Sequence, residues 1–306
     1  MNIISAAQVK ELRESTGAGM MDCKKALTET GGDLEAAIDW LRTKGLAKAA
    51  KKAGRAAAEG LIAVISEGKK AAIIELNSET DFVARNEQFQ ELCENVAKVA
   101  LQSSGEIDAL KSAKMNDKSV EQNIAETVAT IGENMNLRRC AMLQVENGFV
   151  SSYVHNAVKS GLGKIGVLVA IECNKDDAKI RDMGKQIAMH IAAAKPVALN
   201  RDGVDASDLE RERAVFKEQA MASGKNESIA EKMVDGRIRK FYEEVVLLEQ
   251  MFVMDGKTPI NEVVANMVKE TGANIKISNY AMFVLGEGVE KEESDFAAEV
   301  AAAARA

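Results

Sequence analysis

The chain has 306 residues, 46% of them hydrophobic, enough for a sizeable core in two domains or in one with appendages, which excludes disorder as its main state. Its 40 lysines and arginines against 47 acids leave a net charge of −7, which excludes a general nucleic-acid coat, because counterion release needs clustered positive charge. Four scattered cysteines without a C-x-x-C pair argue against a zinc knuckle or disulfide framework and fit a reducing, cytoplasmic setting; no apolar run approaches the ~18 residues of a membrane span.

Residues 1–45 predict three short helices. Ser5 and Gln8 have capping-box spacing ahead of an apolar stripe of Val9 and Leu12, and Gly17-Ala18-Gly19 stops the first helix. Met20 to Thr30 is the second, Gly31-Gly32 the break, and Asp33 the N-cap of a third carrying Leu34, Ile38 and Leu41, with Trp40 packed in the same head. The stretch RTKGLAKAAKKAGR then holds Arg42, Lys44, Lys48, Lys51, Lys52 and Arg55 with no acid until Glu59. It reads as a solvated helical linker with its alanines inward; no aromatic interleaves to stack a base, so RNA binding is not expected.

From Gly60 the hydrophobic period changes. GLIAVISEG and KKAAIIELN, joined by Ser-Glu-Gly-Lys, predict a β-hairpin, and the loop SETDFVAR leads to an amphipathic helix on Phe89, Leu92, Cys93, Val96, Val99 and Ala100. A second helix runs from about Val120 to Glu133, and NLRRCAMLQVE is a third strand. GFVSSYVH and KIGVLVAIEC repeat the two strands, and the helix carrying Ile180, Met183, Ile187 and Ile191 repeats the first helix. Gly132, Asn134, Ala141, Met142 and Gly148 align with Gly272, Asn274, Ala281, Met282 and Gly288 at one constant offset, the mark of a duplicated ββααβ unit with antiparallel sheets.

The second copy carries an insertion. Leu209, Phe216 and Ala220 stripe one helix, Ile229, Met233, Phe241 and Val245 another, and Ala222-Ser223-Gly224 turns the chain between them, which predicts an antiparallel helical hairpin. SDFAAEVAAAARA closes the chain as a short helix capped by Ser294, with Phe296 and Val300 on one face. The expected protein is α+β: a helical head with its basic linker (1–55), a first core half (56–147), a second core half (148–200 and 249–288), a coiled-coil hairpin (201–248) and a C-terminal helical module (289–306).

No catalytic constellation can be assembled. Neither His155 nor His190 has neighbours at metal-ligand spacing; His190 sits in an apolar helical stripe, a core or rim position, and His155 at a hairpin turn. Gly161 to Gly166 satisfy G-x-G-x-x-G but precede a strand, whereas the dinucleotide fingerprint follows one and opens a helix; there is no P-loop either. No metal site, no cofactor and no direct nucleotide binding are expected. In the loop Ser78-Glu79-Thr80-Asp81-Phe82-Val83, patterning alone buries Phe82 under the following helix. The alternative is a projecting anchor beside Asp81, suited to a partner's pocket.

At these residues the sequence resembles the bacterial translation elongation factor Ts family, the guanine-nucleotide exchange factors of elongation factor Tu. The matching segments are VKELRESTGAGMMDCKKALTETGGDLEAAIDWLR, TDFVARN, IAMHIAAAKP, IAEKMVDGRIRKF and EESDFAAEVAAA, in family order over essentially the whole chain. The resemblance implies a UBA-like (ubiquitin-associated) head and an adaptor that is not an enzyme. It implies that Thr80, Asp81, Phe82 and Val83 contact the G domain of elongation factor Tu and help dislodge its magnesium, disturbing the phosphate site and promoting GDP release. Met20, Met21 and Lys24 are similar to the head's contact with that domain, and His155 matches a position that reaches another domain of the partner. One departure is the stretch Asn156–Lys164, longer than in the shortest family members. A homodimer through the hairpin stays open, as do an RNA-binding module on Arg42–Arg55 and a small-molecule enzyme when the residues are read without the resemblance.

Overall fold

The strands of both hairpins carry apolar residues on both faces, because each sheet is sandwiched between helices and the other sheet. In the computed structural model, which describes residues 4–16, 18–222 and 227–289, strands β1 (Glu59–Glu67) and β2 (Lys70–Ser78) form an antiparallel hairpin closed by a two-residue loop. Strand β5 (Met135–Gln144) lies beside β2, and the two-residue strand β7 (Leu162–Gly163) beside β1, giving the order β5-β2-β1-β7. The second sheet, β6-β8-β9, joins β6 (Gly148–His155), β8 (Ile165–Cys173) and β9 (Ile275–Val284). Leu61, Ala63, Ala72, Ile74 and Leu76 face helices α4 (Glu87–Ala100) and α6 (Val120–Ile131). The alternate residues Ile62, Ala71 and Ile73 meet Val150, Leu168 and Ala170 of the second sheet. Val167, Val169 and Ile171 then face α7 (Ala178–Ala194) and α10 (Ile260–Thr271). The core is therefore helices, sheet, sheet, helices.

Duplication reaches into the irregularities. The β2–β5 register slips so that Arg138 bulges, and the β8–β9 register slips at Ser278, in strands of equal length 140 positions apart. Gly60, second in β1, and Gly148, first in the equivalent strand β6, have φ of +117° and +124°. A Cβ there would stand 2.2 Å from the Leu76 carbonyl oxygen and 2.0 Å from that of Ile171, so neither site admits a side chain.

Three helices make the head: α1 (Ala6–Thr16), α2 (Met20–Glu29) and α3 (Leu34–Lys52), around buried Leu12, Cys23, Ala26, Leu27 and Ala37. The capping box forms as expected, with Ser5 N–H donating to Gln8 Oε1 (3.0 Å) and Gln8 N–H to Ser5 Oγ (3.2 Å). Asp33 caps α3 by accepting from Ala36 N–H (2.9 Å). The basic linker continues α3 rather than forming a separate element, and Gly45 packs so closely on Ala129 of α6 that an added Cβ would lie 2.8 Å away. Between the sheets' helices the chain also forms α5 (Ile107–Ser112) and a small hairpin of β3 (Lys114–Met115) and β4 (Lys118–Ser119).

The insertion is a pair of helices, α8 (Ala206–Ala222) and α9 (Glu227–Val245), cross-linked by Arg213–Asp235 (3.3 Å) and by Arg237 over Phe216 (5.4 Å). The inward face of α9 differs from the expected stripe: Val234 and Ile238 are buried, while Ile229 is exposed. Met233, Phe241 and Val245 of that stripe are half-buried. The turn residues Ser223-Gly224 and the C-terminal helix expected from Ser294 lie outside the described residues.

His190 is a core residue, as its stripe implied. Val253 N–H donates to its Nδ1 (3.3 Å), which leaves the proton on Nε2, 3.0 Å from Gln250 Oε1. Gln250 in turn donates to the carbonyls of Glu244 (2.7 Å) and Ala194 (3.3 Å), so the pair joins α7 to the root of the helical hairpin. Burial holds the His190 pKa below its ordinary value of 6.5, with the Gln250 hydrogen bond opposing. A lowered folded-state pKa gives stability that is complete above the unfolded value and is lost as pH falls below it. Urea unfolding at pH 7.5 and 5.5 is expected to show a larger acid loss for the natural chain than for His190→Gln.

Candidate partner-binding surface

Eight residues, 79–86, join β2 to α4, whereas the equivalent connection in the second half, β8 to α7, takes four, 174–177. The duplicated fold thus closes this link without the additional length, and Thr80–Val83 lies within it. Phe82 is 76% exposed, against the expectation from patterning that it would be core; Phe89, fully buried at the first turn of α4, is the aromatic that fills that space. The reason is local: Val83 and Ala84 turn inward in a 3-10 turn spanning Val83–Arg85, and Asn86 caps α4 by accepting from Phe89 N–H (3.2 Å), so Phe82 is carried outward. Gln90 Nε2 also holds the Ala84 carbonyl (3.0 Å). Asp81 is exposed beside it, 3.7 Å from Arg85.

The loop is pinned from behind by residues the sequence reading passed over. Both carboxylate oxygens of Glu133 accept from Thr80, one from its N–H (2.9 Å) and one from its hydroxyl (2.7 Å). Glu79 accepts from Asn134 N–H (2.5 Å) and pairs with Arg55 (3.4 Å), and Asn134 Nδ2 donates to the Arg55 carbonyl (2.7 Å). Ser78 Oγ donates to the Thr80 carbonyl (3.0 Å). Asn134 was visible as a landmark of the repeat; Glu133 and Glu79 carried no signal that patterning could detect.

Met20, Met21 and Lys24 share the outer face of the first turns of α2, where their spacing of three and four residues places them together. Met20 is 60% and Met21 75% exposed, which a helix starting at a bare Gly19 N-cap does not need for its own stability. His155 ends β6, exposed, its Nδ1 3.0 Å from the Tyr153 hydroxyl. The lengthened stretch after it folds back onto the first half: β7 pairs with Ile62 and Ala63 of β1, and Lys159 pairs with Glu94 of α4 (2.6 Å). Lys164 donates its N–H to the His155 carbonyl (3.1 Å) and its ammonium pairs with Glu59 (3.4 Å), the β1 residue opposite Ser78. That ties His155 to the end of the first sheet from which the Thr80 loop leaves. The three groups remain on three separate elements.

Further exposed apolar side chains, Met251, Val253 and Met254, stand on a turn closed by Asp255, which accepts from Lys257 N–H and Thr258 N–H (3.0 Å each). In the sequence they fall in the run Met251-Phe252-Val253-Met254. Of the six cations between Arg42 and Arg55, Lys44 lies over Trp40 (5.6 Å), Lys52 donates to the Gly132 carbonyl and Arg55 pairs with Glu79, so half of that stretch serves the fold's own contacts. Among the described residues no group of three or more His, Cys, Asp or Glu could hold a metal ion, and no helix is long and apolar enough to cross a membrane.

The family model described as Elongation factor TS matches residues 79–287, which include the Phe82 loop, the first core half from there onward and the second core half. Elongation factor Ts of Rhodospirillum rubrum is 60% identical over 302 residues, covering 98% of each chain. Proteins of the same description from Rhizobium leguminosarum bv. trifolii and Agrobacterium fabrum are 59% and 58% identical over the full length of both chains. A pinned loop with an outward aromatic on a duplicated core, and identity of this extent, lead to one conclusion: the chain belongs to the elongation factor Ts family.

Proposed function

We propose that the chain is the guanine-nucleotide exchange factor of elongation factor Tu in translation elongation, and that the Thr80–Val83 segment opens the partner's magnesium and phosphate site, with Asp81 and Phe82 presented outward and buried Val83 anchoring them. The observation that carries this reading is the exposure of Phe82 on a loop that the second half of the core does without. A GTPase holds GDP through phosphate-binding amides and a magnesium ion that neutralises the phosphates. Phe82 enters between elements of the G domain as a wedge, and Asp81 disturbs the hydrogen bonds that orient the ion's ligands. Met20, Met21 and Lys24 hold the same domain through the head, and His155 reaches another domain. Binding across these contacts offsets the distortion at the wedge.

No covalent bond is made or broken. Because coupling is reciprocal, GDP and this chain each weaken the other's hold on the partner, and the chain hastens equilibration without biasing it toward either nucleotide. The chain itself holds no nucleotide, and it acts as a soluble cytoplasmic factor. The test is release of fluorescent GDP from elongation factor Tu in excess unlabelled GDP, with and without the chain; acceleration supports the reading, and an unchanged rate refutes it.

A further inference from the structure

We infer that Glu133 is the positioning residue of the Phe82 loop, a role that rests on the exchange-factor reading above. Its half-buried carboxylate forks onto Thr80, accepting from the backbone N–H at 2.9 Å and the hydroxyl at 2.7 Å. Three residues on, Val83 is buried. Asp81 and Phe82 are therefore suspended between two fixed points, one polar and one apolar, and the aromatic is held outward before any partner arrives. Preorganisation of this kind removes an ordering cost that binding would otherwise carry.

The duplication supplies the control. Gly132, Glu133 and Asn134 correspond to Gly272, Ala273 and Asn274. A backbone latch is kept in both copies: Asn134 N–H donates to Glu79 Oε1 (2.5 Å) and Asn274 N–H to Asn174 Oδ1 (2.8 Å). Between the two latch residues the copies differ, with a carboxylate where the connection is eight residues long and a buried alanine where it is four. What both copies keep at this corner is the backbone N–H bond to the side chain that follows the strand; the glutamate accompanies the loop that carries Phe82.

The experiment compares Glu133→Ala, Phe82→Ala and the double variant in the intact chain, by GDP release from elongation factor Tu at limiting factor and by amide hydrogen exchange at Thr80 in the free chain. Hydrogen bonds to a charged group are among the stronger ones, so Glu133→Ala is expected to slow stimulated release by about 10-fold and to raise Thr80 exchange by a similar factor. In the Phe82→Ala background it is expected to cause no further loss, because a positioning residue has nothing left to position. Glu133→Gln, whose amide accepts from Thr80 N–H and donates to its hydroxyl oxygen, is expected to restore most of the rate. If Glu133→Ala unfolds the chain, Thr80→Val, which removes the hydroxyl donor alone, takes its place with a partial loss expected. A Glu133→Ala rate equal to the natural one, while Phe82→Ala is slow, overturns the positioning role and leaves the wedge standing. Equal slowing in both backgrounds also overturns it, placing the effect elsewhere; a fast Phe82→Ala overturns the wedge and this inference together.

Discussion

Phe82→Ala is expected to cut stimulated GDP release by about 10- to 100-fold while leaving the stability of the free chain within about 0.5 kcal/mol. The two halves of that result come from one fact, that the ring is 76% exposed. An exposed side chain whose removal leaves no cavity and no unpaired polar group changes stability little, whereas an aromatic that fills a partner's pocket is the usual kind of residue whose truncation costs 2 kcal/mol or more, roughly a 30-fold effect. The core reading of Phe82 predicts the reverse, a loss of about 3 to 5 kcal/mol in the free chain. Urea unfolding of the free protein and stopped-flow release with the partner separate the two. The rate at saturating factor is the informative one: loss confined to limiting factor would mean a contact that only binds, and loss at saturation one that acts on the nucleotide site.

Glu75→Ala is expected to destabilise the chain by about 3 to 5 kcal/mol, the cost of removing the one buried carboxylate that pairs two half-buried arginines. Glu75 is fully buried in β2, where its carboxylate accepts from Arg138 (3.2 Å), Arg139 (2.5 Å), Asn77 Nδ2 (3.0 Å) and Gly286 N–H (2.8 Å). Arg139 also reaches the Val284 carbonyl (2.8 Å), and Arg138 that of Glu287 (2.5 Å). One carboxylate thus ties the bulge in β5 and the chain leaving β9 to the centre of the first sheet. Arg138→Ala is expected to cost less, since Arg139 keeps the carboxylate paired. Denaturant midpoints for the three proteins give the order, with the natural chain highest and Glu75→Ala lowest.

What the sequence disclosed depended on range. Helices and strands with several periods of apolar residues were legible, and so was the duplication, because identical residues at a constant offset need no physics to detect. The helix α10 was equally legible and overlooked: Ile260, Val263, Val264, Met267 and Val268 follow Pro259 at helical spacing and pack on the second core. The elements β3, β4 and β7, two residues each, were out of reach, being too short to show any period. That the sheets pack face to face was also hidden, since Ile62 and Leu168 signal burial without naming each other. Glu75 interrupts an apolar strand, and nothing near it in sequence names its two arginines, 63 and 64 residues away.

Candidate-site residues divided in the same way. Exposure of Met20 and Met21 could be suspected from two large apolar residues opening a helix, but Phe82 was ambiguous in itself, because a lone aromatic between a strand and a helix is core or anchor according to the backbone turn that follows it. Here that turn is decided by buried Val83 and Ala84, and by a glutamate in another loop.

Magnesium dependence of GDP release puts the account at its greatest risk. With fluorescent GDP on elongation factor Tu, the chain is expected to accelerate release strongly at millimolar magnesium and much less once the ion is chelated, since much of the wedge's effect has then been produced already. An acceleration of the same factor with and without magnesium, or none at either, would contradict it.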